Sequence, residues 1–145
     1  MSARRREPMA RPNVDRLRLA IDAFSRGGEA GAALLAPDFE LHQASSIIDT
    51  AGVFRGPDAL RGSLRELQES FENLRFEAER FLQAPGGEVV VLVRATGRGR
   101  GSGVEIDNHI AWVWTFRDGQ AVRMVVYEEP AEALRAVGLG LAPDG

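Results

Sequence analysis

The spacing of hydrophobic residues changes along this chain, and the spacing predicts which segments are helices and which are strands. Val14, Leu17, Ile21 and Phe24 follow one another at steps of three and four. Residues spaced in this way lie on one face of an amphipathic helix. The glycine pair at 27–28 then predicts where this first helix ends.

The next segments combine a second helix, two strands and a third helix. A short helix is predicted over Ala30–Ala36, because Pro37 stops it. Phe39–Ala44 alternates apolar and polar residues as a strand does, and a short strand is predicted at Gly52–Arg55. A third helix begins at Pro57, since proline suits the first helical position. Its apolar stripe consists of Leu60, Leu64, Leu67 and Phe71.

From residue 74 onward the apolar spacing falls to two, which is typical of strands. Four consecutive strands are predicted, at 74–79, Val89–Val93, Val104–Phe116 and Ala121–Glu128. The Asp118-Gly119 pair is a strong hairpin signal, because it supplies the positive φ angles of a tight turn. Pro130–Val137 is predicted to be a short closing helix. Helices gathered at one end of an antiparallel sheet predict an α+β domain, and a curled sheet would enclose an apolar cavity.

Three segments of this pattern carry a resemblance to a known family. They are Leu34–His42 (LLAPDFELH), Phe54–Leu60 (FRGPDAL) and Trp112–Arg123 (WVWTFRDGQAVR). In this order they resemble SnoaL-like proteins of the nuclear transport factor 2-like superfamily, over about residues 14–139. The resemblance implies a ketosteroid isomerase-like cone, in which a curved antiparallel or mixed sheet wraps around N-terminal helices and a short C-terminal helix follows. It also implies a deep pocket and a homodimer through the outer sheet face.

Composition narrows the setting of this domain. We expect one domain at 13–139, a disordered basic tail at 1–12 and a C-terminal tail at 140–145. The chain has no cysteine, a net charge of −3 and no apolar run near the ~20 residues that span a bilayer. We therefore expect a cytoplasmic protein with neither nucleic acid nor membrane as a partner. The glycine–arginine tract at 97–103 is interpreted as structural or as part of the pocket mouth.

Acid/base candidates are few. His109 matches the histidine of the polyketide-cyclase pattern, whereas the aspartate of that pattern falls on Trp112. His42 shares a predicted strand face with Glu40, and a neighbouring carboxylate would raise the basicity of the imidazole. Glu129, at the end of the last strand, is the fourth catalytic candidate.

Each of these candidates has a plainer interpretation. His109 would lie at a pocket rim or a dimer face, the His42–Glu40 pair would be solvated or part of an interface, and Glu129 would cap the last helix. Asp107 and Arg94 with Glu129 would suit an epoxide hydrolase-like relay, although their spacing does not require one. The two histidines are far apart in sequence and the chain has no cysteine, so we expect that it has no metal site. We also expect no cofactor.

Ligand-binding candidates lie mainly on the aromatic strand. Trp112, Trp114 and Phe116 share one face, where they would stack on a flat ligand or pack against helices. The full set of candidates is Trp112, Trp114, Phe116, Phe39, Gln43 and Tyr127. Gln43 stands where the resemblance places the base of a ketosteroid isomerase, and an amide does not abstract a proton. The opposite face, with Val113 and Tyr127, is apolar enough to favour a homodimer.

Two functions remain open at this point. One is the binding of a small hydrophobic or aromatic molecule in a central pocket without any chemistry. The other is a cofactor-free acid/base enzyme, such as an isomerase, a polyketide cyclase-like or an epoxide hydrolase-like protein. A family this varied does not supply the function of one member.

Overall fold

The structure is a computed structural model, and it describes residues 13–22, 34–43, 53–56 and 58–139. The elements follow in the order α1 (13–22), β1 (Leu35–Gln43), β2 (Val53–Arg55), α2 (Ala59–Ser70), β3 (Phe71–Gln83), β4 (Val89–Gly99), β5 (Glu105–Arg117), β6 (Gln120–Tyr127) and α3 (Pro130–Ala136). The α+β class is therefore confirmed. No helix in the described part of the chain is long and apolar enough to cross a membrane.

The six described strands form one open, mixed sheet in the order β2-β1-β6-β5-β4-β3. The last four strands make an antiparallel meander, whereas β1 joins β6 in parallel and β2 extends the edge. Arg117 pairs with Gln120 around the two-residue turn, in which Asp118 has φ 54° and Gly119 has φ 82°. Two successive positive φ angles are those of the hairpin turn that the Asp-Gly pair predicts.

The start of β1 differs from the prediction. Leu35 and Ala36 belong to the strand, so the helix predicted over Ala30–Ala36 is wrong at its described end. The reason is nonlocal, since Leu35 pairs with Ala121 of β6. Pro37 falls in the irregular stretch where the β1–β6 register shifts, a place where a strand tolerates the missing N–H. Residues 23–33, 44–52, 57 and both predicted tails lie outside the described residues.

The glycine–arginine tract belongs to the hairpin that joins β4 to β5, and it holds that hairpin against the end of α2. Nε of Arg100 donates to the carbonyl of Gln68 at 2.7 Å, and the backbone N–H of Arg100 donates to Ser70 at 2.9 Å. These contacts satisfy carbonyls that the helix end leaves free. A Cβ on Gly97 would lie 3.3 Å from Cα of Leu74, so glycine permits the close approach of β3 to β4.

Both faces of the sheet are covered over part of their area. We call the face that carries Val91, Trp112 and Met124 the inner face, and it packs against α1 and α2. The outer face carries Val90 and Val113, and α3 covers it. Because α3 belongs to the same chain, it accounts for part of the apolar surface that suggests a homodimer. The homodimer itself stays a prediction.

Helix α1 crosses the inner face and is tied to the sheet at two places. Nη1 of Arg16 donates to the carbonyl of Gly119 at 3.1 Å, in the turn between β5 and β6. The guanidinium of Arg18 lies 4.3 Å from the ring centroid of Phe81 on β3, which is a cation–π distance. Between these two residues, Leu17 is fully buried in the core.

Leu17→Ala should lower the free energy of unfolding by about 2–5 kcal/mol, because it opens a void under α1. Leu19 is the matched control, since it lies on the same helix and is 71% exposed. Leu19→Ala should change the free energy of unfolding by less than about 0.5 kcal/mol. Urea denaturation followed by circular dichroism measures both values. Equal effects of the two substitutions would contradict the described packing of α1.

Ala133→Asp should destabilise the fold by at least about 2 kcal/mol, because Ala133 of α3 is fully buried against the outer face. Ala131 is exposed in the first turn of the same helix, where an added carboxylate is tolerated. Ala131→Asp should therefore leave the melting temperature nearly unchanged. A similar melting temperature for both variants would show that α3 does not pack on the sheet in solution.

Candidate functional site

A cavity of about 1300 Å³ lies between the inner face and the helices α1 and α2. Its lining is mainly apolar, and the strands contribute Phe76, Ile110, Trp112, Trp114, Met124 and Val126. From the helices come Leu17 and Ile21 of α1 and Leu64 of α2. Ser63 of α2 is a buried polar residue in the same wall. The helical stripes and the strand alternation in the sequence thus meet around one space.

Two aromatic pairs lie on the inner face at different depths. Trp114 is 3% exposed and its ring centroid lies 6.1 Å from that of the fully buried Phe39. Trp112 is only half-buried, and its ring lies 5.6 Å from Phe76 at an interplanar angle of 57°. Nε1 of Trp114 is buried without a hydrogen-bond acceptor among the described residues. The first pair is part of the core, whereas the second borders open space.

The inner row of β5 shows which end of the cavity is open. Along this row, Trp114 is buried, Trp112 and Ile110 are half-buried, and Asn108 is exposed. The described pairing between β5 and β6 ends where Ala111 meets Tyr127. Among the described residues, the cavity is therefore closed at Trp114 and open past Ile110 toward Asn108.

The ligand-binding candidates divide between this cavity and other places. Trp112 and Trp114 line it, whereas Phe39 and Phe116 pack in the core beside it. Tyr127 lies on the outer face, in the cluster that α3 covers. Gln43 ends β1 in register with Val126, and its side chain lies outside the described part of the molecule.

His109 lies on the outer face, directly across from Arg94, although both residues border the open end of the cavity. Side chains alternate along a strand, so its neighbours Asn108 and Ile110 occupy the inner face. Nδ1 of His109 lies 3.2 Å from Oε1 of Glu79, and the His109 side chain is 61% exposed. The carboxylate near the imidazole thus comes from β3. This position favours the plainer interpretation, a histidine at the rim.

Arg94 and Asp107 form a bidentate ion pair on the same outer face. Nε of Arg94 donates to Oδ1 of Asp107 at 2.8 Å, and Nη2 donates to Oδ2 at 2.7 Å. These hydrogen bonds hold the pKa of Asp107 below its ordinary value and raise that of Arg94. Each group already hydrogen-bonds to the other, and the pair links the neighbouring strands β4 and β5. This arrangement favours a structural role over a catalytic relay.

His42 and Glu40 also belong to the outer face. Nε2 of His42 lies 2.8 Å from Oε1 of Glu40, and Nε of Arg55 lies 3.7 Å from the other carboxylate oxygen. The hydrogen bond from His42, followed by the charge of Arg55, lowers the pKa of Glu40. Between them, Leu41 points to the inner face and lines the cavity. Both histidines of the chain therefore have their side chains on the opposite side of the sheet from Trp112.

Glu129 borders the open end of the cavity and is the N-cap residue of α3. Its carbonyl accepts a hydrogen bond from the backbone N–H of Glu132 at 3.0 Å, but its side chain makes no capping hydrogen bond. Glu128 borders the cavity beside it. Within the described residues, no group of three or more His, Cys, Asp or Glu side chains is placed to hold a metal ion.

Comparisons with known proteins agree with this architecture. A family model of the SnoaL-like domain matches residues 17–124. An NTF2-like protein from Burkholderia pseudomallei is 23% identical over 87% of this chain and 97% of its own, with a TM-score of 0.69. An NTF2-like protein from Burkholderia thailandensis is 22% identical over 86% and 95%, with a TM-score of 0.70.

A third solved structure, TerC co-crystallised with polyporic acid, is 19% identical over 87% of this chain and 97% of its own, with a TM-score of 0.69. No curated protein matches the sequence. At these identities the structural neighbours show the fold alone. The family model, however, covers most of the chain and includes the segments that carry the resemblance. The chain belongs to the SnoaL-like domain family.

Proposed function

We propose that the protein binds a small hydrophobic or aromatic molecule in the cavity between the inner face and the helices α1 and α2. The observation that carries this proposal is that aromatic and aliphatic side chains occupy one face of the sheet and the histidines occupy the other. The inner face presents Trp112, Phe76 and Ile110 to the cavity, while both histidines lie on the outer face. A concave apolar wall with few polar groups is the usual form of a small-molecule site.

The apolar area that a ligand buries against this wall limits the affinity that it can reach. A flat ligand that buries about 200 Å² of apolar surface gains about 5 kcal/mol at about 25 cal/mol per Å². Part of that gain is offset by the loss of translational and rotational freedom on binding. Micromolar affinity therefore requires a ligand that fills much of the space beside Trp112. TerC, which has a similar fold, is co-crystallised with polyporic acid, so this fold accommodates small molecules.

Acid/base catalysis in the cavity is less well supported by the geometry. A general base must lie within hydrogen-bond reach of the proton that it removes. His42 and His109 both have outer-face positions in their strands, and only His109 borders the cavity, at its open end. Three of the described acidic residues border the cavity, Glu77, Glu128 and Glu129. Glu77 is in register with Arg94 on the outer face, and the other two lie at the open end. Binding without chemistry is the function that these positions favour.

Binding of N-phenyl-1-naphthylamine, an uncharged fluorescent probe, tests this proposal. We expect the probe fluorescence to rise with the wild-type protein, and polyporic acid to compete for the site. Leu64→Trp should weaken probe binding at least tenfold, because Leu64 lines the cavity and a larger side chain fills it. Arg65→Trp is the matched control, since Arg65 is exposed on the same helix and does not line the cavity. Equal binding by both variants would count against the cavity as the site.

The affinity for this probe should stay constant within about twofold between about pH 5 and 8, the range in which an imidazole changes charge. Glu40 and Asp107 have lowered pKa values, so their contribution to stability is present above the unfolded-state pKa. It is lost only as the pH falls through these lowered folded-state pKa values, on the acid side of the tested range. Fluorescence titrations across the range measure the affinity. A dissociation constant that follows one titration near pH 6.5 would favour the enzyme alternative.

A further inference from the structure

The two tryptophans of the cavity have different roles. Resting on the proposed function, we propose that Trp112 is the residue that contacts the ring system of the bound molecule, and that a neutral polar substituent of that molecule lies toward Asn108. Trp114 would then form the closed end of the cavity without touching the ligand. The ligand class is a flat aromatic compound with a hydroxyl or carbonyl group at one end.

Burial separates the two indoles. Trp114 is 3% exposed, and its partner Phe39 is fully buried and does not line the cavity. The indole N–H of Trp114 is itself buried, so a ligand does not reach it without displacing the core. Trp112 is half-buried on the same strand, which leaves part of its ring surface uncovered. An uncovered indole surface in a concave apolar wall favours stacking with a flat ring.

The neighbours of Trp112 border the space beside the uncovered part of its indole, and we call this space the slot. The Phe76 ring lies 5.6 Å from the Trp112 ring and is tilted by 57°, so the two rings meet at an angle and do not stack face to face. Val126 stands opposite Trp112 on β6, and Ile110 follows on the inner row of β5. Aliphatic neighbours of this kind exclude water from the edges of a ring. The slot therefore accepts an aromatic ligand that lies along β5.

Asn108 provides a polar group at one end of this slot, which would orient the ligand. It is two positions beyond Ile110 on the inner row, at the open end, and it lines the cavity. Its register partner on β4 is Ala95, whose small side chain leaves room above the amide. A primary amide both donates and accepts hydrogen bonds, so it suits a hydroxyl or a carbonyl. A ligand with its rings at Trp112 thus presents its polar end at Asn108.

The sequence contains two tryptophans, so the indole N–H groups give two signals in a ¹H–¹⁵N correlation spectrum. Trp112→Phe and Trp114→Phe assign these signals. Titration of the labelled wild-type protein with 2-naphthol should move the Trp112 signal and leave the Trp114 signal nearly in place. A larger movement of the Trp114 signal would overturn the proposed roles.

Affinities provide the second readout. Trp112→Leu should weaken binding of N-phenyl-1-naphthylamine at least fivefold, whereas Phe116→Leu should change it less than twofold. Phe116 is the control because it is on the same strand and packs in the same core without lining the cavity. Equal effects would contradict a contact at Trp112. Absence of probe binding by the wild-type protein would instead overturn the proposed function, so the two failures are distinguishable.

The orientation is tested with a matched pair of ligands. Asn108→Leu should weaken binding of 2-naphthol about fivefold and leave binding of 2-methylnaphthalene unchanged, because only the first has a hydroxyl group. The same loss for both ligands would contradict the placement of the polar end at Asn108.

Discussion

The first part of β4 must be covered on both of its faces, and the rest of the structure depends on this. Val89, Val90 and Val91 are consecutive and fully buried. Since consecutive strand residues point to opposite sides, no single layer of helices hides all three. Helix α1 lies on one side and α3 on the other. Farther along β4 the helices no longer cover both faces. The outer face there carries the charged residue Arg94, and the inner face borders the cavity.

The same alternation places the histidines and the apolar cavity residues on opposite faces of the sheet. His109 and Ile110 are adjacent in sequence, yet the His109 side chain meets Glu79 on the outer face, and Ile110 packs against the core of the inner face. Leu41 is likewise flanked by Glu40 and His42, whose side chains meet on the outer face. A shift of one residue in the register of β1 or β5 would exchange these surfaces. The apolar character of the cavity is therefore a property of the register as much as of composition.

Local patterns predicted most of the elements, because helix and strand spacing depend on near neighbours. Nonlocal pairing explains where prediction stopped: Leu35 is drawn into β1 by Ala121, and Glu79 meets His109 through the combined register of β3, β4 and β5. The inner-face position of Asn108 could have been predicted from the sequence, since Asn108, Ile110 and Trp112 follow one another at a spacing of two residues. The different burial of Trp114 and Trp112 could not be predicted, because burial depends on where the helices end.

The parallel pairing of β1 with β6 has a consequence for how the chain folds. The meander from β3 to β6 joins strands that are neighbours in sequence. Strand β1, in contrast, pairs in parallel with β6, which lies far from it in the sequence. Because β1 precedes β6 in the chain, Leu41 and Phe39 are synthesised well before Met124, their later neighbour in the core. Contacts of such large sequence separation slow folding, since a long loop must close first. The nascent chain thus carries an apolar strand without its parallel neighbour until β6 has been synthesised.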